Sequence, residues 1–261
     1  MLRPRIIPCL LIQDGGLVKT RQFKDPKYIG DPINAVKIFN EKSADEIIAI
    51  DIDATAKGHE PDFKKIGDIA AECRMPLTYG GGVRSLADAQ RIISLGVEKI
   101  ALSSRALANP ELVNEIACSL GSQSVVAVLD VKQTGLINKS YSIFTHNGKR
   151  AFKGEIFSVI DRLQNAGIGE LILNFIERDG MMQGYDVDFA SEVAKHVSVP
   201  VTFLGGAGSL DDVKDLLAKS GIVGASAGSF FVFKGRYRAV LINYPDFATK
   251  EQIAFELFRD G

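Results

Sequence analysis

The sequence predicts a closed (β/α)8 barrel of the TIM type, and three observations lead there. Strand-sized apolar runs alternate with helical patterns along the chain, the mark of parallel strands joined by crossover helices. Eight such units fit within 261 residues, a usual size for this architecture. The chain also repeats itself: Pro76-Leu77-Thr78-Tyr79-Gly80-Gly81-Gly82-Val83-Arg84-Ser85-Leu86 lines up with Pro200-Val201-Thr202-Phe203-Leu204-Gly205-Gly206-Ala207-Gly208-Ser209-Leu210, 124 positions on. Glu46 and Glu170 share that offset. Two four-unit halves joined head to tail account for it. An open doubly wound sheet would instead carry one dominant Gly-rich fingerprint after its first strand.

The elements follow in order. Strands are expected to begin near Arg5, Glu46, Pro76, Lys99, Ser124, Glu170, Pro200 and Ile222, where short apolar runs such as Ile47 to Ile50 and Val125 to Leu129 occur. Helical periodicity fills the gaps over Pro32 to Asn40, Ala87 to Leu95, Pro110 to Leu120, Phe157 to Ala166 and Leu210 to Ala218. The whole chain, 1–261, reads as a single barrel domain.

Composition narrows the function classes. Hydrophobic residues are 46% and charged residues 24%, which excludes an intrinsically disordered chain. The formal net charge is −1, so neither nucleic acid nor an anionic membrane is indicated as a partner. No apolar run approaches the roughly 20 residues of a membrane span. Met1-Leu2-Arg3-Pro4-Arg5 lacks the apolar stretch of a signal peptide. Cys9, Cys73 and Cys118 show no CxxC spacing, so a reduced, cytoplasmic setting is expected.

In this architecture the working face lies at the C-terminal ends of the strands. Gly80-Gly81-Gly82 ends the third strand and Ser103-Ser104 the fourth, while Gly205-Gly206 ends the seventh and Gly228-Ser229 follows the eighth. Each pairing offers small residues, backbone N–H groups, a hydroxyl and a following helix start, which suit a phosphate dianion. Two such cradles across one barrel mouth imply a ligand phosphorylated at both ends. Tight strand–helix packing also wants glycine, so bulkier residues at Gly82 or Gly206 separate the two readings. The phosphate reading expects lost ligand binding with little unfolding.

Several motifs in fixed order resemble the cyclase subunit of imidazole glycerol phosphate synthase. They are Arg5-Ile6-Ile7-Pro8-Cys9-Leu10, Asp14-Gly15 with Val18-Lys19, Gly30-Asp31-Pro32, Ala44-Asp45-Glu46, Gly80-Gly81-Gly82, Thr145-His146, Glu170, and Arg178-Asp179-Gly180 with Gly184-Tyr185-Asp186. The resemblance implies a glutaminase partner docked under the barrel and ammonia passing through it to a bis-phosphorylated substrate on top. It implies that Arg5, Glu46, Lys99 and Glu170, each at a strand start, form a neutral ring that gates ammonia. Ile7 and Cys9 share the Arg5 side of their strand, where apolar side chains leave a dry path. A purely structural ion cluster is the other account of that ring, since unpaired buried charge is costly.

The chain departs from the family at the reaction centre. The family's first strand ends in a catalytic aspartate, where this chain has Leu11; the second catalytic aspartate matches Asp130. Asn174-Phe175 replaces a Thr-Ser pair, Ser103 an asparagine, and Leu204 a serine. Pro8-Cys9-Leu10-Leu11, Gly15-Gly16-Leu17-Val18-Lys19-Thr20 and Phe23-Lys24-Asp25-Pro26-Lys27-Tyr28 resemble a branch that works with a glutaminase-like subunit and a sugar amidotransferase. That branch is linked to turning an acetamido group into an acetamidino group for O-antigen and other bacterial surface polysaccharide. Two alternatives stand beside it. One is the histidine-pathway cyclase, with Asp51, Asp53 or Asp14 as substitute acid. The other is a non-catalytic scaffold that conducts ammonia for a glutaminase.

Among the remaining residues, Asp179 and Gly180 follow the sixth strand and are expected to contact substrate, as is Asp51. Lys19 is either a basic loop residue that closes over a phosphate or a solvated surface lysine. Neither a metal nor a cofactor is expected, because His59, His146 and His196 show no ligand spacing. Phe230-Phe231-Val232-Phe233 reads as core.

Overall fold

The computed structural model describes residues 3–134 and 140–258. Eight parallel strands close into a barrel: β1 (Arg5–Gln13), β2 (Ile47–Asp51), β3 (Leu77–Gly80), β4 (Lys99–Leu102), β5 (Val125–Thr134), β6 (Glu170–Phe175), β7 (Val201–Leu204) and β8 (Gly224–Ala227). Parallel pairing of β8 with β1 and of β5 with β6 completes the ring. Every expected strand is present within two residues of its expected start.

Among the described residues eight helices of nine or more residues clothe the barrel, one after each strand: α1 (Pro32–Glu41), α2 (Phe63–Glu72), α3 (Leu86–Ser94), α4 (Pro110–Leu120), α5 (Ile156–Asn165), α6 (Val187–His196), α7 (Leu210–Ser220) and α8 (Phe247–Phe258). Outward strand residues meet helix residues in the main core, where Phe39, Phe203 and Phe231 are among the largest fully buried side chains. Phe231, Val232 and Phe233 are buried, as the core reading of that run expects. Inward residues form a second, smaller apolar cluster of Ile7, Cys9, Ile48, Ala101, Val126 and Ile172. Among the described residues no helix is long and apolar enough to cross a membrane.

The internal repeat is structural. Helices α2 and α6 begin and end 124 positions apart, with Asp62 and Asp186 as their N-caps. Strands β3 and β7 keep the same offset. Helices α3 and α7 open with matching capping boxes, Ser85 with Asp88 and Ser209 with Asp212. In each, the serine oxygen accepts from the third helical N–H while the aspartate accepts from the cap N–H, which satisfies two donors at a bare helix end.

Two β-hairpins on the top face were not foreseen. Gly16–Arg21 pairs antiparallel with β1 and with Lys24–Gly30, and Ser140–Thr145 pairs antiparallel with β5. They raise walls around the barrel mouth.

Ser85→Ala and Ser209→Ala should each cost about 1 kcal/mol, lowering Tm by about 2–4 °C. The caps stand in opposite halves, so the double variant should show the sum in a thermal melt.

Candidate active site at the barrel mouth

The bottom of the barrel is closed by charge. Arg5 pairs with Glu46 at 2.6 Å and with Glu170 at 2.8 Å. Lys99 pairs with the same carboxylates at 2.9 and 2.8 Å. The Thr78 hydroxyl donates to Glu46 at 3.1 Å and Thr202, its repeat partner, donates to Glu170 at 2.6 Å. Both glutamates are buried. Burial alone would raise the Glu170 pKa, but hydrogen bonds and charge from Arg5 and Lys99 hold it below the usual range. Above the ring comes the inner apolar cluster, so the barrel axis is apolar between its charged floor and its polar mouth.

One cavity opens at the mouth. Lys19, Asp51, Gly81, Gly82, Ser103, Ser104, Asp130, Asp179, Gly180, Gly205, Gly206, Gly228 and Ser229 all line it. The structure thus brings together Asp130 and every residue expected from the sequence to contact substrate or phosphate.

Lys19 is no surface lysine: it is 4% exposed. The hairpin strand Gly16–Arg21 carries it inward, and its Nζ donates to the Cys9 carbonyl. Burial pushes its pKa down, and the nearby Asp179 charge opposes that. A Cβ on Gly228 would run into the Lys19 Nζ, so glycine there lets the ammonium reach the eighth-strand cradle. Three N–H donors with one protein acceptor among the described residues make this ammonium a ready anion ligand.

Asp179 has a second task. Its Oδ2 accepts from the Thr20 hydroxyl at 2.6 Å and from the Phe23 N–H at 3.1 Å. Its carbonyl accepts from Gln22 N–H at 2.9 Å. The turn after β6 therefore latches the Lys19 hairpin over the mouth.

Asp130, at the upper part of β5, is the acid of the cavity. Burial drives its carboxyl up to about 7, and the Asp179 charge adds to this. The Asn174 amide, which donates to Asp130 Oδ1 at 2.9 Å, works against the shift. An acid poised there can give and take a proton at neutral pH. Across the barrel stands Leu11, and with Ile50, Val128 and Leu204 it packs on the inner cluster. The mouth is one-sided: acid and amide on β5 and β6, hydrocarbon on β1.

Of the three substitute acids, only Asp51 lines this cavity; Asp14 and Asp53 face a neighbouring cleft. Asp51 Oδ1 accepts the N–H groups of Asp53 and Ala54 at 2.9 and 3.1 Å. Thr20, His146, Asn147 and Asn174 also line the mouth and were not selected from the sequence as ligand contacts. His146 and Asn147 sit at φ +54° and +55° in the turn after Ser140–Thr145, and Asn147 is fixed by donating to the Ile52 carbonyl at 2.9 Å. Among the described residues no cluster of His, Cys, Asp or Glu is arranged to hold a metal ion.

The glycine expectation needs correction. Gly82 and Gly206 have φ of +74° and +123°. A Cβ on Gly82 would lie 3.0 Å from the Pro61 nitrogen, and one on Gly206 would collide with the Gly184 carbonyl. Backbone packing demands these glycines whether or not an anion binds. Lys19 carries the anion argument instead.

Two outcomes follow from this geometry. Gly206→Ala should cost several kcal/mol, on the order of 3, in chemical denaturation, because it combines positive φ with a backbone collision. Asp130→Asn should stabilise the chain in a pH-dependent way. Unfolded, an aspartate titrates near about 3.9; folded, Asp130 titrates at about 7. Between those values the folded chain keeps a proton that the unfolded chain has lost, so wild-type stability falls as pH rises. The advantage of the variant should grow from about pH 4 to 7 and level above, reaching about 2–4 kcal/mol.

Comparison with known proteins agrees with the geometry. Residues 5–238 match the family model described as histidine biosynthesis protein. A protein of Leptospira interrogans, provisionally named imidazole glycerol phosphate synthase subunit HisF, is 52% identical over 98% of this chain and 100% of its own length. The Vibrio vulnificus protein provisionally named subunit hisF3 of the same synthase is 51% identical over 98% of both chains. The subunit HisF of Geobacillus thermodenitrificans is 36% identical over 90% of this chain and 92% of its own. The chain belongs to the histidine biosynthesis protein family and, within it, to the HisF-type cyclase subunits of imidazole glycerol phosphate synthase.

Proposed function

We propose that this chain is an ammonia-using synthase subunit. A glutaminase docks on its bottom face, ammonia crosses the barrel, and a phosphorylated acceptor waits at the mouth. The observation that carries the reading is the pairing of two ends. Four charges close one end of an apolar barrel interior, and a buried ammonium with spare donors stands at the other. Neutral ammonia crosses an apolar interior at far lower cost than an ion. The ring keeps ions and bulk water from that interior.

At the mouth, Lys19 with Gly228 and Ser229 takes one phosphate, and Gly82 with Ser103 and Ser104 takes the other. Asp130 is the catalytic acid–base group, and the Asp179-Gly180 turn holds the hairpin and Lys19 over the ligand. Leu11 cannot transfer a proton, so a reaction needing two opposed carboxylates is poorly served. That favours an acceptor other than the histidine-pathway substrate, and the reading taken here is the acetamidino-sugar branch with a sugar amidotransferase as further partner. The scaffold reading, in which ammonia is only conducted, is disfavoured by the poised Asp130.

An assay with ammonium salt and the histidine-pathway substrate needs no partner. Cyclisation should run about 10²–10⁴-fold below that of a relative with both aspartates. A comparable rate would overturn the acetamidino reading. For the gate, Lys99→Ala leaves two buried carboxylates to Arg5 alone, at a cost of about 3 kcal/mol. With a glutaminase bound, glutamine-driven turnover should fall further than ammonium-driven turnover. Equal losses, or failure of a glutaminase to bind the wild-type chain, would make the ring purely structural.

A further inference from the structure

The loops behind the two cradles hold an arrangement that the mouth chemistry above does not use. Gly82 and Gly206 line the mouth, and each has a main-chain carbonyl pressed against it. The His59 oxygen lies 3.1 Å from where a Gly82 Cβ would stand, and the Gly184 oxygen fills the matching place at Gly206. A carbonyl oxygen carries partial negative charge. Left bare so close to a seat for an anion, it would repel that anion.

Each of these oxygens is taken by a guanidinium. Arg84 donates from Nη2 to the His59 carbonyl at 2.9 Å, and Arg178 donates from Nη1 to the Gly184 carbonyl at 2.9 Å. The Gly184 N–H donates in turn to the Gly206 carbonyl at 3.0 Å, so Arg178 and the cradle glycine hold the same residue from its two sides. Neither arginine lines the mouth cavity, so each acts there through the carbonyl it holds.

The internal repeat makes this coincidence informative. The residue 124 positions after Arg84 is Gly208, and the residue 124 positions before Arg178 is Ala54. Neither arginine is shared by the two halves. His59 and Gly184 also stand one position out of step with the offset. The halves thus reach one arrangement of glycine, carbonyl and guanidinium from different positions. Loop stability alone does not call for it, because water or a neutral donor would satisfy a carbonyl oxygen. What both halves have in common is a formal positive charge behind the cradle.

We infer that Arg84 and Arg178 are positioning residues for the two phosphate ends of the ligand, each fixing a carbonyl at its cradle glycine and turning the local potential positive. The inference rests on the phosphate reading of the mouth. The two clamps differ in strength. Arg178 has the Asp186 carboxylate at 3.6 Å, which offsets its charge. Arg84 is exposed and pairs with no carboxylate among the described residues. The ammonium of Lys19 lies against Gly228, on the Gly206 side. The cradle without Lys19 is therefore the one backed by the freer guanidinium.

The test titrates the full chain, 15N-labelled, with sodium phosphate at constant ionic strength against a sodium chloride reference. Amide shifts of Gly82, Ser103 and Ser104 report one cradle, and those of Gly206, Gly228 and Ser229 the other. Arg84→Gln offers a neutral N–H donor in place of the charge. It should weaken phosphate about fivefold at the first cradle and leave the second unchanged. Arg84→Lys keeps the charge and should hold affinity within about twofold of wild type. Arg178→Gln should weaken only the second cradle, by about twofold, since Asp186 already offsets that charge. Repeating the titration at higher ionic strength should shrink the Arg84→Gln effect, which loop packing would not do. Cradle shifts with affinity unchanged in both glutamine variants, equal losses at both cradles, or equal losses in Arg84→Gln and Arg84→Lys would overturn the inference and leave the phosphate reading standing. Wild-type cradle shifts matched by chloride would overturn that reading and this inference with it.

Discussion

Closing eight parallel strands into a barrel sends every second strand residue into a space without water. Everything else about this molecule answers to that constraint. A charge can enter only with its partners, because an unpaired ion there is expensive. The floor meets the condition with two cations, two carboxylates and two threonine hydroxyls, all hydrogen-bonded to one another. The next levels meet it with hydrocarbon and a thiol, Cys9, whose pKa burial pushes up to about 11. Ionisable groups of the upper barrel, Asp130 and Lys19, appear only at the mouth, and each is shifted towards its neutral form by burial.

That shift is what makes the mouth chemically useful. Lys19 and Asp179 are drawn together by the hairpin latch, and each tempers the other's desolvation. Among the described residues Asp130 pairs with no cation and accepts only the Asn174 amide, so burial keeps its carboxyl high. Had β1 carried a second acid in place of Leu11, two carboxyls would share one site and at least one would be raised further. Leu11 removes that coupling. The Asp130 carboxyl stands next to hydrocarbon, raised by burial and by the charge of Asp179.

Much of this was legible in the chain because the relevant signals are local. Strand starts coincide with apolar runs, and glycine pairs mark strand ends. The offset of 124 positions aligns caps, strands and helices of the two halves. The charged ring was legible because Arg5, Glu46, Lys99 and Glu170 each begin a strand of known facing. What stayed hidden depends on long-range placement. The Gly16–Arg21 and Lys24–Gly30 strands are short and polar, and only docking on β1 and latching by Asp179 orders them. Burial of Lys19 follows from that docking and has no sequence signal of its own. That packing alone requires glycine at 82 and 206 was hidden because the backbone that crowds them, at Pro61 and Gly184, is distant along the strand pattern.

The two halves also show where a duplicated scaffold is free to diverge. Positions that hold the fold have kept their chemistry: Asp62 and Asp186, Ser85 and Ser209, Thr78 and Thr202. The cations of the floor have not, since Arg5 and Lys99 both belong to the first half while each half supplies one glutamate. One cation from each half would balance the two carboxylates as well, so neutrality fixes the number of cations at two and leaves their distribution between the halves free. The same reasoning applies at the mouth, where Asp130 faces Leu11 and Asn174 faces Ile50. A symmetric mouth would suit a symmetric ligand. This one is asymmetric, because the buried ammonium of Lys19 lies against Gly228 at the end of the eighth strand and not on the opposite side.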